Sequence, residues 1–344
     1  MRINRAIVAG AVCWLGFMTT VSRAAERHAA EIASQAFRIS TAHGSVSLPF
    51  DISLDWSQPQ PRISRAVIVF HGVGRDVNGY YRAAQDAAEQ AGAAARDTIL
   101  IAPQFLDEED IREHRLPADM LRWRRVAWES GAPAAQPSPI SSYEVVDDIL
   151  MRLADRSIFP NLKTVVLAGH SGGGQLVQRY AVVGKAAAAL SSAGIHLRYV
   201  IANPSSYVYF SDERPAPSRS AHCRDFNHWK YGPVDPPAYA KPDAADTWPQ
   251  REASYAQRDV IYLLGAADVD PHEKDLDTSC EGEAQGSTRF ERGRAYFAYL
   301  HARHPSGWNQ RMWFVPGVAH SARKMLTSTC GVNALFDAGA CPDR

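Results

Sequence analysis

Gly169-His170-Ser171-Gly172-Gly173 follows directly on the apolar run Thr164-Val165-Val166-Leu167-Ala168, and the apolar residues of Gln175-Leu176-Val177-Gln178-Arg179-Tyr180-Ala181 then recur at helical spacing. A serine set among glycines where a strand turns into a helix is the pattern of a nucleophile elbow. Such a turn forces the serine backbone into a strained conformation, and side chains on the flanking glycines would collide with neighbouring chain. Ser171 would open the helix, where free N–H groups and the positive end of the dipole favour a developing oxyanion. The chemistry open to such a residue is nucleophilic attack on an acyl carbon.

An attacking hydroxyl needs a base, and the base needs an acid to orient it. Both occur later in the chain, each just past an apolar run. Asp259-Val260-Ile261-Tyr262-Leu263-Leu264 leads into Gly265-Ala266-Ala267-Asp268, and Met312-Trp313-Phe314-Val315 leads into Pro316-Gly317-Val318-Ala319-His320. The order is therefore Ser171, Asp268, His320, with Asp270 in the same Asp-Val-Asp loop as the alternative acid. Asp275 and Asp277 read as solvated, and His170 reads as a packing residue inside the elbow. His301 and His304 could share a helix face, but no third ligand stands near them and no metal is expected. An oxyanion also needs two convergent backbone N–H groups. Gly172 supplies one, and the loop His71-Gly72-Val73-Gly74-Arg75-Asp76 is expected to supply the other from Val73, with Gly72 as the alternate.

The elements that must position these residues alternate along the chain. Buried strands are expected at 66–70, 98–102, 164–168, 198–202, 259–264 and 311–315, and helices at 80–92, 142–155, 175–189 and 290–303. That rhythm predicts an α/β fold with a mostly parallel central sheet and helices on both faces. Residues 36–55 read as one or two antiparallel strands at the sheet edge. Two insertions, 104–140 and 204–258, break the rhythm; they are long for structureless loops and too aromatic for disorder. An irregular, aromatic-rich cap is the expected reading. Trp123, Trp128, Tyr207 and Trp229 are candidates to line a substrate pocket, or alternatively form the cap's own core.

The 344 residues carry no formal net charge, which gives no reason to expect a nucleic-acid partner. Met1-Arg2-Ile3-Asn4-Arg5, the apolar stretch Ala6 to Val21 and Ser22-Arg23-Ala24 read as a signal peptide over 1–24, cleaved before Ala25. Residues 25–344 are then expected to form a single exported domain, secreted or periplasmic, with no membrane span. The four cysteines of that part, Cys223, Cys280, Cys330 and Cys341, suit two disulfides. Cys330 and Cys341 lie close enough in sequence to staple a tail, which leaves Cys223 with Cys280.

Through His71-Gly72, Gly169 to Gly173, Gly265 to Asp268 and Gly317 to His320, the chain resembles the α/β-hydrolase superfamily over residues 65–325. Within it, the chain is similar to secreted bacterial esterases and polyhydroxyalkanoate-depolymerase-like hydrolases. The resemblance implies the α/β-hydrolase fold and hydrolysis of a small-molecule or polymeric carboxylic ester by a serine, an acid and a histidine, without a cofactor. The 204–258 insertion is longer and more aromatic than a minimal esterase cap. A serine peptidase or amidase would use the same three residues against a poorer leaving group, although nothing here resembles the propeller domain that accompanies many such peptidases. A non-catalytic binding protein could also keep the fold, but every catalytic position here holds a competent residue.

Overall fold

Runs of β-branched and aliphatic residues with a side chain on each face can be covered on both sides, and here they are. In the computed structural model, which describes residues 28–42, 44–215 and 223–341, the strands are β1 (Gln35–Thr41), β2 (Gly44–Ile52), β3 (Arg65–Phe70), β4 (Thr98–Pro103), β5 (Leu106–Asp107), β6 (Arg122–Trp123), β7 (Thr164–His170), β8 (His196–Ala202), β9 (Asp259–Gly265) and β10 (Gln310–Val315). Eight of them form one sheet in the order β1-β2-β4-β3-β7-β8-β9-β10, and β5 pairs with β6 apart from it. From β4 to β10 every neighbouring pair in that sheet is parallel, while β1–β2 and β2–β4 are antiparallel. The C-terminal ends of β3, β7, β9 and β10 therefore share one edge, and the loops that carry the chemically interesting residues leave from it. The expected signal segment, 1–24, lies outside the described residues.

Period-2 alternation divides the core into two layers. Val67, Val69, Val166, Ala168, Val200, Ala202, Ile261 and Leu263 point to the face covered by α1 (Val77–Ala91) and by the late helices α9 (Ala322–Leu326) and α10 (Thr329–Phe336). Ile68, Phe70, Val165, Leu167, Tyr199, Ile201, Val260 and Tyr262 point to the face covered by α3 (Ser142–Ala154), α4 (Gly172–Val183) and α8 (Arg289–Arg303). Local chemistry sets the helix starts: the Asp76 side chain accepts from Gly79 N, and Ser141 with Glu144 forms a capping box on α3.

The single helix expected at 175–189 is two, α4 and α5 (Ala187–Ser192). The chain turns extended at Gly184, where a methyl group would stand 2.6 Å from the Tyr180 ring. Helices α9 and α10, beyond His320, had no counterpart in the sequence reading. In the first insertion, α2 (Glu108–Glu113) begins with a capping box between Asp107 and Asp110. In the second, α6 (Trp248–Gln257) packs on α4. The short α7 (Cys280–Glu283) carries one end of a disulfide: Cys223 pairs with Cys280 and Cys330 with Cys341, the connectivity expected. Among the described residues no helix is long and apolar enough to cross a membrane.

An ionic cluster centred on the buried Asp259 and Arg198 ties β8, β9, β10 and α10 together at the opposite end of the sheet. Asp259 accepts from Arg198 Nε at 2.8 Å and from His196 Nε2 at 2.8 Å, and also pairs with Arg311, while Arg198 continues to Asp337 at 2.7 Å. Burial opposes ionisation of Asp259, but His196 and Arg198 outweigh it and hold the carboxyl down to about 2. Removing one partner of such a cluster leaves the other charges uncompensated. Asp259→Asn is expected to lower stability by about 3 kcal/mol, read as a reduced urea midpoint at unchanged m-value.

Candidate active site

Ser171 follows β7 and precedes α4 with φ +59° and ψ −121°, a strained region for a residue with a side chain. Its N–H donates to Ala202 O at 3.0 Å and its carbonyl accepts from Gln175 N at 3.0 Å, so strand and helix both grip the turn. A methyl group on Gly169 would overlap the Gly173 carbonyl, and one on Gly173 would overlap the Phe70 carbonyl. Only glycine lets α4 come this close to β3 and β7.

The loop after β3 lies against the elbow. A methyl on Gly72 would stand 3.4 Å from Ser171 Cβ, and one on Gly172 would stand 3.2 Å from Val73 N. The two expected oxyanion donors, Gly172 and Val73, are thus side by side, with Gly72 at the serine. His71 holds this loop from beneath. Its Nε2 accepts from Phe105 N–H at 2.9 Å, so Nδ1 carries the proton and donates to Gly72 O at 2.8 Å. Burial pushes its pKa down to about 4. Farther along the loop, Arg75 has φ +56° and binds Asp110 at 2.7 Å and Asp107 at 3.2 Å. The first described residues join the same knot: Ala29 N donates to Asp110, Ala33 N to Gln104 Oε1, and Gln104 Nε2 to both Glu31 O and Arg75 O.

Asp268 and His320 meet where the loops after β9 and β10 run together, tied by Ala266 N to Val315 O and Ala267 N to Val318 O, each at 3.0 Å. Asp268 Oδ2 is 2.8 Å from His320 Nδ1. Behind the carboxyl, the fully buried Arg289 guanidinium lies 3.7 Å from Asp268 Oδ1 and 2.5 Å from Glu273. Asp270 is exposed and accepts from His272 N, so of the two acids it is Asp268 that reaches the histidine. His170 packs against His320 with the rings tilted and their centroids 4.4 Å apart, while Tyr80 OH lies 3.1 Å from its Nδ1. Burial, then the neighbouring His320 and Arg289, drive the His170 pKa well down. The ring packs, as expected.

Two expectations need correction. Trp123, Trp128 and Tyr207 are closed off from solvent at 1%, 0% and 0% exposure and do not line an open pocket. Trp128 stacks on Phe105 and meets His71 edge-on, Trp123 donates to Ala132 O, and Tyr207 stacks on Tyr296. All three belong to the buried core, and Trp128, through His71, braces the loop after β3 from below. Of the four aromatics only Trp229 is half-buried, its Nε1 donating to Ser130 O at 2.7 Å. Asp277 is not solvated either: it accepts from Tyr231 OH and Ser279 Oγ, each at 2.7 Å, with Lys230 at 3.5 Å. Burial raises its pKa, but Lys230 and the hydroxyl donors hold it below the ordinary value.

Sequence reasoning missed a buried polar group beside the elbow. Arg179, one turn beyond Gln175 on α4, is wholly buried and donates to Lys230 O, Glu129 O, Gln175 Oε1 and Ser206 Oγ, pinning both insertions to this helix. The signal was an arginine inside an otherwise apolar helical run. Glu129, whose carboxyl takes Gln175 Nε2 at 3.0 Å, carried no comparable signal. Cys223, Cys280 and Glu281 are the cluster of metal-type donors among the described residues, and both sulfurs are in a disulfide.

The chain matches no protein-family model and no curated protein. Solved structures do match. A poly(3-hydroxybutyrate) depolymerase, LpqC, from Bordetella parapertussis is 23% identical over 91% of this chain and 93% of its own, with a TM-score of 0.59. Poly(aspartic acid) hydrolase-1 from Sphingomonas sp. KT-1 is 18% identical over 86% of this chain and 96% of its own, with a TM-score of 0.56. This chain has the α/β-hydrolase fold.

A histidine kept neutral in the folded protein binds fewer protons than it does unfolded. His71 therefore lends full stability above about pH 6.5 and loses it on acidification toward its folded value of about 4, a total of about 3 kcal/mol. His170 acts in the same direction. Urea unfolding is expected to show a midpoint that falls steadily from pH 7 to pH 4, with a shallower fall in His71→Gln.

Proposed function

We propose that this chain hydrolyses carboxylic esters through an acyl-enzyme formed on Ser171, with His320 as general base and Asp268 as the acid that orients it. The observation that carries the reading is the 2.8 Å Asp268–His320 hydrogen bond at the sheet edge where the strained Ser171 also stands. His320 takes the Ser171 Oγ proton as the oxygen attacks the ester carbonyl, and Asp268 keeps the imidazole proton on Nδ1 and steadies the imidazolium. The tetrahedral oxygen accepts from the Gly172 and Val73 N–H groups, which the helix start and the braced loop hold in place before substrate arrives. His320 then gives its proton to the departing alkoxide, and water repeats the sequence on the acyl-enzyme.

No cofactor enters this chemistry. A small-molecule or polymeric ester is the substrate class, and the absence of net charge gives nucleic acid no electrostatic hold. The two disulfides and the signal-like first 24 residues support export to the periplasm or beyond, as one domain with two insertions.

The test is hydrolysis of p-nitrophenyl esters of increasing acyl length. Ser171→Ala is expected to abolish it. Asp268→Asn is expected to lower kcat by about 10⁴-fold, because the amide holds the wrong imidazole tautomer, while Asp270→Asn stays within about two-fold. Hydrolysis that survives Ser171→Ala overturns the reading, and cleavage of anilides in preference to esters replaces it with an amidase.

A further inference from the structure

We propose that Glu129, in its protonated form, is a third donor of the oxyanion hole, adding a side-chain hydrogen bond from Oε1 to the two backbone N–H groups. The inference rests on the ester-hydrolase reading and deepens it. A methyl on Gly172 would stand 2.5 Å from Glu129 Oε1 and 3.2 Å from Val73 N, so the carboxyl oxygen and both backbone donors border one small volume.

The second observation is an orphaned atom. Glu129 is 1% exposed; its Oε2 accepts from Gln175 Nε2, yet its Oε1 is buried with no hydrogen-bond partner. Leaving a buried polar atom unpaired costs on the order of 1–3 kcal/mol, so such an atom beside a reaction centre points to a partner that arrives with the substrate. The tetrahedral oxygen is the group that would arrive there.

The surroundings decide which form of the carboxyl is compatible. Lys230 Nζ is 3.9 Å from Oε2 and is shared with Asp277 at 3.5 Å. Arg179 spends its donors on neutral acceptors, one of them the Glu129 carbonyl, and the same carbonyl accepts from Tyr143 OH at 3.3 Å. Lys230 is thus the one cation that pairs with the carboxylate, at the longer of its two contacts, and burial raises the Glu129 pKa although Lys230 and Arg179 oppose this. An ionised carboxylate facing the developing oxyanion would repel it; a carboxylic acid donates to it, as a neutral acid held in an apolar oxyanion hole can. The proton stays on Glu129 through acylation and deacylation, and no bond to Glu129 forms or breaks.

The experiment compares Glu129→Gln and Glu129→Ala with the unmodified chain, reading kcat, KM and the rate at which a fluorophosphonate labels Ser171. Glutamine keeps the shape and an N–H donor, so kcat is expected within about three-fold at neutral pH, whereas alanine is expected to lose about 10²-fold in kcat and in labelling rate with little change in KM. The unmodified enzyme should lose kcat on the alkaline side as Glu129 ionises, and Glu129→Gln should not. Full activity in Glu129→Ala, or an unchanged alkaline limb in Glu129→Gln, overturns the proposal. Complete loss in Glu129→Gln with Ser171 still labelled at the unmodified rate also overturns it, because the donor would then not matter to charge development at the serine. If the unmodified chain neither hydrolyses esters nor labels, the ester-hydrolase reading fails and this inference fails with it.

Discussion

The approach of α4 to the sheet is the constraint on which the rest of this edge depends. Three consecutive glycines open the helix, and they are needed for different reasons: Gly173 passes over the Phe70 carbonyl, Gly174 would put a methyl 2.7 Å from the Ala202 carbonyl, and Gly172 faces Val73 and Glu129. With the helix this near, Ser171 has no relaxed conformation open to it, and its positive φ is what turns the hydroxyl out of the sheet. A larger residue at any of these sites would move the helix start and the loop after β3 together.

Around that close contact the protein uses buried polar groups as struts. Arg75 fixes the loop after β3, Arg179 fixes both insertions to α4, and Arg289 backs Asp268. Each is a long planar donor with several partners, and each ties together segments distant in sequence. Such groups are costly to bury, and their value is in specifying one arrangement of loops that have little regular structure of their own.

Much of the frame was legible because apolar runs report elements locally: the six buried strands, the edge strands, and three of the four helices stand close to where patterning puts them. The helix expected at 175–189 breaks at Gly184, where the chain turns extended and a methyl group would crowd the Tyr180 ring, a proximity invisible in sequence. Asp268 and Asp270 could not be separated by spacing alone, since two residues on one loop differ only in where the loop turns. The aromatics misled in the opposite way. Trp123, Trp128 and Tyr207 advertise a pocket by type, but which way a loop side chain points is a tertiary fact, and these three point inward. Glu129 was missed for the same reason: nothing in Trp128-Glu129-Ser130 tells a solvated acid from one sealed against the elbow.

The knot formed by Ala29, Glu31 and Ala33 with Asp110, Gln104 and Arg75 gives the leading segment a mechanical link to the loop that bears Val73. Fusion partners and affinity handles attached ahead of residue 28 would pull on that loop, whereas those attached behind residue 341 would bear on the α10 side of the sheet. For anyone producing this protein, the choice of which end to extend is a choice about the geometry of the edge that carries Ser171.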